Sequence, residues 1–360
     1  MNLKVGIVGL PNVGKSTLFH ALTQKEVHIA NYPFATIDPN VGVVPVPDLR
    51  LEALAKVSRS QKVIPAVVEF VDIAGLVKGA SGGLGLGNTF LSHIKDVDAI
   101  LHVVRVFQNS DVVHVDAIPD PLRDMATVQL ELVLKDLETT EKARERAESE
   151  ARSGDAKKMQ RRDTLQSIKS RLEKEEFLSH LPLTEEERTV AREMGLLTAK
   201  PMVVVFNISD QELKDSWKPI DGLLDALKNT PYLAIPVGIE DEARKLSHAE
   251  GEEFRALAGV AESLLDQLIQ KCYGALDLIS FFTTGEDETR SWTIPSGSMA
   301  PRAGRAIHSD FEEKFIRAEI IPWKKLVEAG SWAKAKELGW IRTEGKAYTV
   351  QDGDVIEFRI

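Results

Sequence analysis

Nine residues near the amino terminus, Gly9-Leu-Pro-Asn-Val-Gly-Lys15-Ser16-Thr17, satisfy the G-x-x-x-x-G-K-[ST] pattern without a gap. Its two glycines let a backbone turn pass close to phosphate oxygens. Lys15 can neutralise β- and γ-phosphate charge, and the Ser16 hydroxyl can complete a Mg²⁺ shell. The groups of Asn12, Val13, Gly14, Lys15, Ser16 and Thr17 form the expected cradle for a di- or triphosphate. Phe70-Val-Asp72-Ile-Ala-Gly75 supplies the partner motif. It reads as an apolar strand ending in a carboxylate that orients Mg²⁺ through water, followed by the Gly75 N–H for the γ-phosphate. Between these motifs, Asn31-Tyr-Pro-Phe-Ala-Thr36-Ile-Asp-Pro-Asn40 offers Thr36 as a second metal-coordinating hydroxyl, with Thr17 and Thr23 less suitably placed. The expected metal set is therefore Ser16, Thr36 and Asp72. Asn207-Ile208-Ser209-Asp210 falls where a base would be recognised. In an Asn-Lys-x-Asp reader the Asp accepts two hydrogen bonds from guanine, and here Ile208 replaces the Lys.

These residues need a scaffold that brings them to one edge. The apolar run at 3–9 reads as a buried parallel strand feeding the glycine turn, and a helix starts at Ser16. Further strands are expected at 41–46, 66–72, 99–107, 202–206 and 232–237, most of them continuous Val/Ile/Leu runs suited to a sheet covered on both faces. Alternation with helical stretches predicts an α/β class, a doubly wound and mostly parallel sheet. The pattern is interrupted from Arg123 to about Phe177 by a highly charged stretch of strong helix formers. Ser153-Gly154-Asp155 is its turn signal, so two long helices form a hairpin arm with Leu165, Ile168 and Leu172 as its seam. Thr184-Glu-Glu-Glu187 is a capping box. One helix is expected over 248–273, stopped by Gly274. From Leu278 the style changes to short strands at 279–284, 291–294, 348–350 and 355–360 around a helix near 310–316. The division predicted is 1–122 with 196–277 as the nucleotide-binding unit, 123–195 as the inserted arm, and 278–360 as a small α+β domain.

Composition narrows the function classes. A net charge of −10 argues against broad attachment to DNA, free RNA or anionic lipid, although a local basic patch remains compatible with it. No apolar run approaches the ~18 residues of a membrane span, and direct entry into a strand leads us to expect no secretory leader. The single Cys272 excludes an internal disulfide and fits a reducing cytoplasm, with buried filler as its role. In the last domain Arg302, Arg305, Lys314, Arg317, Lys324 and Lys325 alternate with Phe311, Phe315 and Trp323, a set able to contact RNA or ribosomal protein. The glycine cluster 79–87 has no strand before it, so a dinucleotide fingerprint is rejected. A segment that orders around γ-phosphate is the better reading.

Taken in order, Leu-Pro-Asn-Val-Gly-Lys-Ser-Thr, Asn-Tyr-Pro-Phe-Ala-Thr-Ile-Asp-Pro-Asn, Asp-Ile-Ala-Gly-Leu-Val-Lys-Gly-Ala-Ser and Gly-Leu-Gly-Asn-x-Phe-Leu resemble the Obg-like ATPase family, YchF subfamily. The inserted arm and a C-terminal β-grasp (TGS) module complete a resemblance that spans the chain. It implies a ribosome-associated, Mg²⁺-dependent ATPase acting in the cytoplasm. Asn207 would then reach the adenine edge and Ile208 would add main-chain contact. The family usually closes this motif with Glu, whereas this chain has Asp210, the residue that guanine specificity employs. A GTPase with the same machinery therefore stays open as an alternative, as does a nucleotide-gated adaptor with negligible hydrolysis. Leu76 stands where related GTPases often carry a water-orienting Gln. The resemblance and the position of its loop make His114 the candidate for that task, alongside Lys15 and Gly75 as catalytic groups. Phe107 would pack against the nucleotide, and Asn12 would help hold K⁺ beside the triphosphate.

Overall fold

The computed structural model describes residues 3–23, 40–73, 94–108 and 119–360. Among these residues there are two six-stranded sheets. The first runs β2 (Val41–Pro45), β4 (Val67–Asp72), β1 (Lys4–Val8), β5 (Ala99–Arg105), β6 (Met202–Asn207) and β7 (Tyr232–Ile235). Only β2 is antiparallel to its neighbour; the other pairings are parallel. Every residue of β5 and β6 is buried, as expected where helices cover both faces. Parallel pairing sends the carboxyl ends of β1, β4, β5 and β6 to one edge, with Ile7 beside Asp72 and Arg105 beside Asn207. That edge is where open α/β sheets bind ligands.

Helix α1 (Lys15–Thr23) leaves the turn after β1 and buries Leu18, Ala21 and Leu22 against the sheet. The arm is α3 (Pro121–Ala151) and α4 (Ala156–Leu172). Asp120 caps α3 by accepting from the Leu122 and Arg123 amides, Pro121 suits its first turn, and Asp155 caps α4. Gly154, at φ +76°, makes the reversal between them. Leu165, Ile168 and Leu172 are fully buried. The base of the arm is part of the globule, because Met125, Val128, Leu132 and Val133 share the core of the first sheet. Asp136 locks it there, accepting from the Leu197 amide at 2.8 Å, the Thr198 amide at 2.7 Å and the Thr198 hydroxyl at 2.6 Å.

The second sheet runs β11 (Arg342–Glu344), β10 (Arg317–Pro322), β12 (Asp354–Arg359), β8 (Leu278–Thr284), β9 (Glu288–Pro295) and β3 (Lys62–Ile64). Its last strand comes from the amino-terminal half of the chain and pairs parallel with β9. Helix α2 (Leu49–Ser58) also crosses over, packing Leu51 and Leu54 with Phe282, Ile321, Leu326 and Val355.

Several details depart from the sequence expectations. The helix expected over 248–273 is two, His248–Leu257 and Leu264–Ala275. Gly259 at φ +87° ends the first, and the Ser263 side chain caps the second by accepting from the Asp266 amide. Leu257, expected on the buried side, is consequently 83% exposed. Gly274 lies within the second helix and does not end it. Residues 348–350 contribute only an isolated bridge, Thr349 to Met299. The strands β3, β10 and β11 were not anticipated. In the proposed contact set, Phe315 is buried, while Arg305 and Lys314 pair with Glu312 and Asp310. No helix among the described residues is long and apolar enough to cross a membrane.

Candidate nucleotide site

The turn after β1 is shaped by close approaches. Gly9 has φ +155°, and a Cβ there would lie 2.4 Å from the Val103 carbonyl oxygen. Gly14 has φ +100°, and its missing Cβ leaves room for the Asn207 side chain, whose Nδ2 would otherwise be 2.3 Å away. That amide donates to the Val13 carbonyl at 2.9 Å, and Asn207 Oδ1 accepts from the Val237 amide at 3.4 Å. Asn207 therefore braces the phosphate loop against the end of β6 and the start of helix Val237–Lys245. This tie adds a task to the base contact expected of Asn207. At the middle of that helix, Asp241 meets His20 of α1 at 2.8 Å.

Lys15 is nearly enclosed, at 7% exposure, and its Nζ donates to the Leu10 carbonyl at 2.8 Å. Burial pulls its pKa down to about 8, opposed by the charge of Asp72. A poorly solvated ammonium held by one carbonyl is primed to gain from an incoming phosphate. His102 of β5, behind the lining, is held down at about 3 by burial and by the Lys15 charge, so its imidazole is neutral. Ser16 Oγ donates to Asp72 Oδ2 at 2.9 Å. A hydroxyl and a carboxylate beside phosphate oxygens are the hard donors that Mg²⁺ takes, so these residues fit that ion. Among the described residues no cluster of three or more His, Cys, Asp or Glu could hold a metal by itself.

A cleft of roughly 590 Å³ opens over this edge. Of the residues expected at the site, Asn12, Gly14, Lys15, Ser16, Thr17, Phe107, Asn207, Ile208 and Asp210 all line it. Val13 sits buried behind the loop, presenting only its carbonyl to Asn207. Thr36, Gly75 and His114, together with Leu76 and the glycine cluster, lie outside the described residues. Ile208 donates its amide to the Ile235 carbonyl at 3.1 Å, which leaves its carbonyl as the main-chain group able to meet a base. Ser209 caps the helix Asp210–Lys214 in a capping box with Glu212. Asp210 is thereby exposed on the first turn of that helix, at the lip of the cleft.

Sequence reasoning missed Gln108, Val237 and Gly238 in the lining, and His102 and Arg105 behind it. A histidine and an arginine inside the apolar run 99–106 were a signal available to it. Val237 and Gly238 become visible only once β7 is known to lie beside β6.

Comparison with known proteins agrees with this architecture. Residues 4–142 match the family model described as 50S ribosome-binding GTPase, and residues 278–360 match the YchF GTPase C-terminal model, described as a protein of unknown function. A Bacillus subtilis (strain 168) protein named ribosome-binding ATPase YchF is 46% identical over 363 residues, covering 100% of this chain and 99% of that protein. The Haemophilus influenzae protein of the same name is 43% identical over 361 residues, with 100% and 99% covered. The chain belongs to the YchF family. A solved Schizosaccharomyces pombe structure, titled a YchF GTPase, superposes with a TM-score of 0.89 at 36% identity, covering 99% of this chain and 98% of the other. YchF membership fits both halves of the architecture, the phosphate-loop sheet and the C-terminal β-grasp module.

Proposed function

We propose that this chain is a ribosome-binding, Mg²⁺-dependent ATPase acting in the cytoplasm. The observation supporting the phosphate chemistry is that Lys15 and Ser16 line one cleft, with the Ser16 hydroxyl bonded to Asp72 and the Asp72 charge acting on Lys15. Lys15 binds and neutralises β- and γ-phosphate oxygens. Ser16 and Asp72, with Thr36, would hold the metal, and the Gly75 amide would meet the γ-phosphate. Mg²⁺ would supply charge neutralisation across the β- and γ-phosphates. Water attacks the γ-phosphorus in line, and ADP leaves without a covalent enzyme intermediate. His114 orients that water in place of the side chain that Leu76 lacks, and Asn12 would offer an oxygen to K⁺ beside the triphosphate.

The adenine reading is supported by Ile208. With its amide tied to Ile235, its carbonyl can accept from the adenine 6-amino group but has nothing to offer the guanine 6-oxo group. Ribosome binding rests on the names of the bacterial relatives.

GTP hydrolysis is the competing reading, favoured by Asp210 at the lip of the cleft. Competition of ATP and GTP for the wild-type protein and Asp210→Glu separates the two. The expected result is tighter ATP binding by both proteins, with any GTP affinity falling in Asp210→Glu. A wild-type preference for GTP would replace the ATPase reading.

A further inference from the structure

Arg105 closes β5 with a guanidinium that is 1% exposed, the largest fully buried side chain among the described residues. Taking a guanidinium out of water is costly, so its contacts must hold it firmly. Its Nε donates to the Phe107 carbonyl at 3.0 Å, and its Cζ lies 4.6 Å from the centroid of the Phe107 ring. The side chain thus folds forward over its own strand and covers one face of the ring two residues on. The backbone between them is also fixed, because the Val106 amide donates to the Asn207 carbonyl at 3.0 Å. Phe107 lines the nucleotide cleft with Asn207, Ile208 and Val237, whereas Arg105 lies behind the wall.

We propose that Arg105 is a positioning residue for the nucleotide base: stacking of its guanidinium and its hydrogen bond to the Phe107 carbonyl set the Phe107 ring as the surface against which the purine packs. This rests on the reading of the cleft as the ATP site. The consequence is selective. Stacking serves any purine nucleotide, with or without a γ-phosphate, and does nothing for the phosphate chain. A planar cation is required, since a guanidinium stacks on a ring and donates in its own plane, whereas an ammonium cannot do both.

The test titrates ATP, ADP and inorganic tripolyphosphate into the full-length wild type, Arg105→Met, Arg105→Lys, Phe107→Leu and the Arg105→Met/Phe107→Leu double variant. Arg105→Met and Phe107→Leu should each weaken ATP and ADP about tenfold, the scale of one lost cation–π and stacking contact. Tripolyphosphate affinity should stay within about twofold of wild type on the same scale. Arg105→Met should raise KM for ATP with kcat at saturation retained, Arg105→Lys should not restore affinity, and the double variant should bind no more weakly than Phe107→Leu. Parallel loss of tripolyphosphate binding would assign Arg105 to the phosphates or to the fold and overturn the proposal. So would unchanged ATP affinity or additive losses in the double variant. Should Arg105→Met fail to fold, Arg105→Lys and Phe107→Leu carry the same comparison. A wild type that binds none of the three ligands refutes the ATP site itself, a result separate from any difference among variants.

Discussion

The phosphate contact proposed for Lys15 has a pH signature, because the lysine itself titrates near the working range. Burial lowers its pKa to about 8 in the nucleotide-free protein, and a bound triphosphate would raise it again. Below pH 8 the ammonium is already charged and binding moves few protons. Above pH 8 the free protein has lost that proton and must regain it on binding. ATP affinity should therefore fall as pH rises from 8 to 9.5. Calorimetry in buffers of different ionisation enthalpy should detect proton uptake at pH 9 that disappears in Lys15→Met. Flat affinity across this range would mean that the lysine is not the group meeting the phosphates. Lys15, Ser16 and Asp72 were legible in the sequence because their spacing is fixed by phosphate and metal geometry. Arg105 and His102 carried a signal only as charges within an apolar run, which by itself does not say what they face.

At the scale of elements, the site depends on the loop after β1 and the end of β6 being held together. Asn207 does this with one amide, donating to Val13 and accepting from Val237. Asn207→Ala would leave the Val13 carbonyl without that donor in a buried setting, at a cost of about 1–3 kcal/mol. Urea unfolding should register that loss, and ATP affinity should fall further than stability alone would require. Asn207→Asp should fail to rescue, because a carboxylate cannot donate to the Val13 carbonyl. Retained affinity in both variants would show that the brace is dispensable. The strands of this sheet could be read directly, since residues buried on both faces form continuous apolar runs. The break at Gly259 could not, because the apolar spacing on either side of it continues in helical phase. Strand β3 was equally hidden: Lys62 and Val63 are exposed, three residues carry no periodicity, and its partner lies more than two hundred positions away.

Over the whole molecule, the segment between β2 and β4 ties the two sheets together. Arg50 pairs with Asp48 at 2.8 Å and with Asp352 at 2.6 Å, and its guanidinium lies 5.1 Å from the Phe282 ring centroid. Ser60 donates to the Gly285 carbonyl at 2.6 Å, and β3 extends the second sheet. The chain thus leaves the first sheet after β2, contributes a helix and a strand to the second, and returns as β4 to end at Asp72. Residues 278–360 should accordingly be less stable as an isolated fragment than within the full chain, since β9 loses β3 and Phe282 loses the cover of Leu51 and Leu54. Asp352→Asn in the full chain should cost about 1 kcal/mol, the worth of a partly exposed charge-assisted contact. Thermal unfolding of both proteins checks this, and a fragment as stable as the same region in the intact chain would contradict it.

The most direct measurement is calorimetric titration of ATP, with Mg²⁺ present, into the wild type and Lys15→Ala. The cradle described above predicts saturable binding at a single site in the wild type and loss of most of that affinity in the variant. No binding heat from either ATP or GTP, or equal affinity in both proteins, would contradict it.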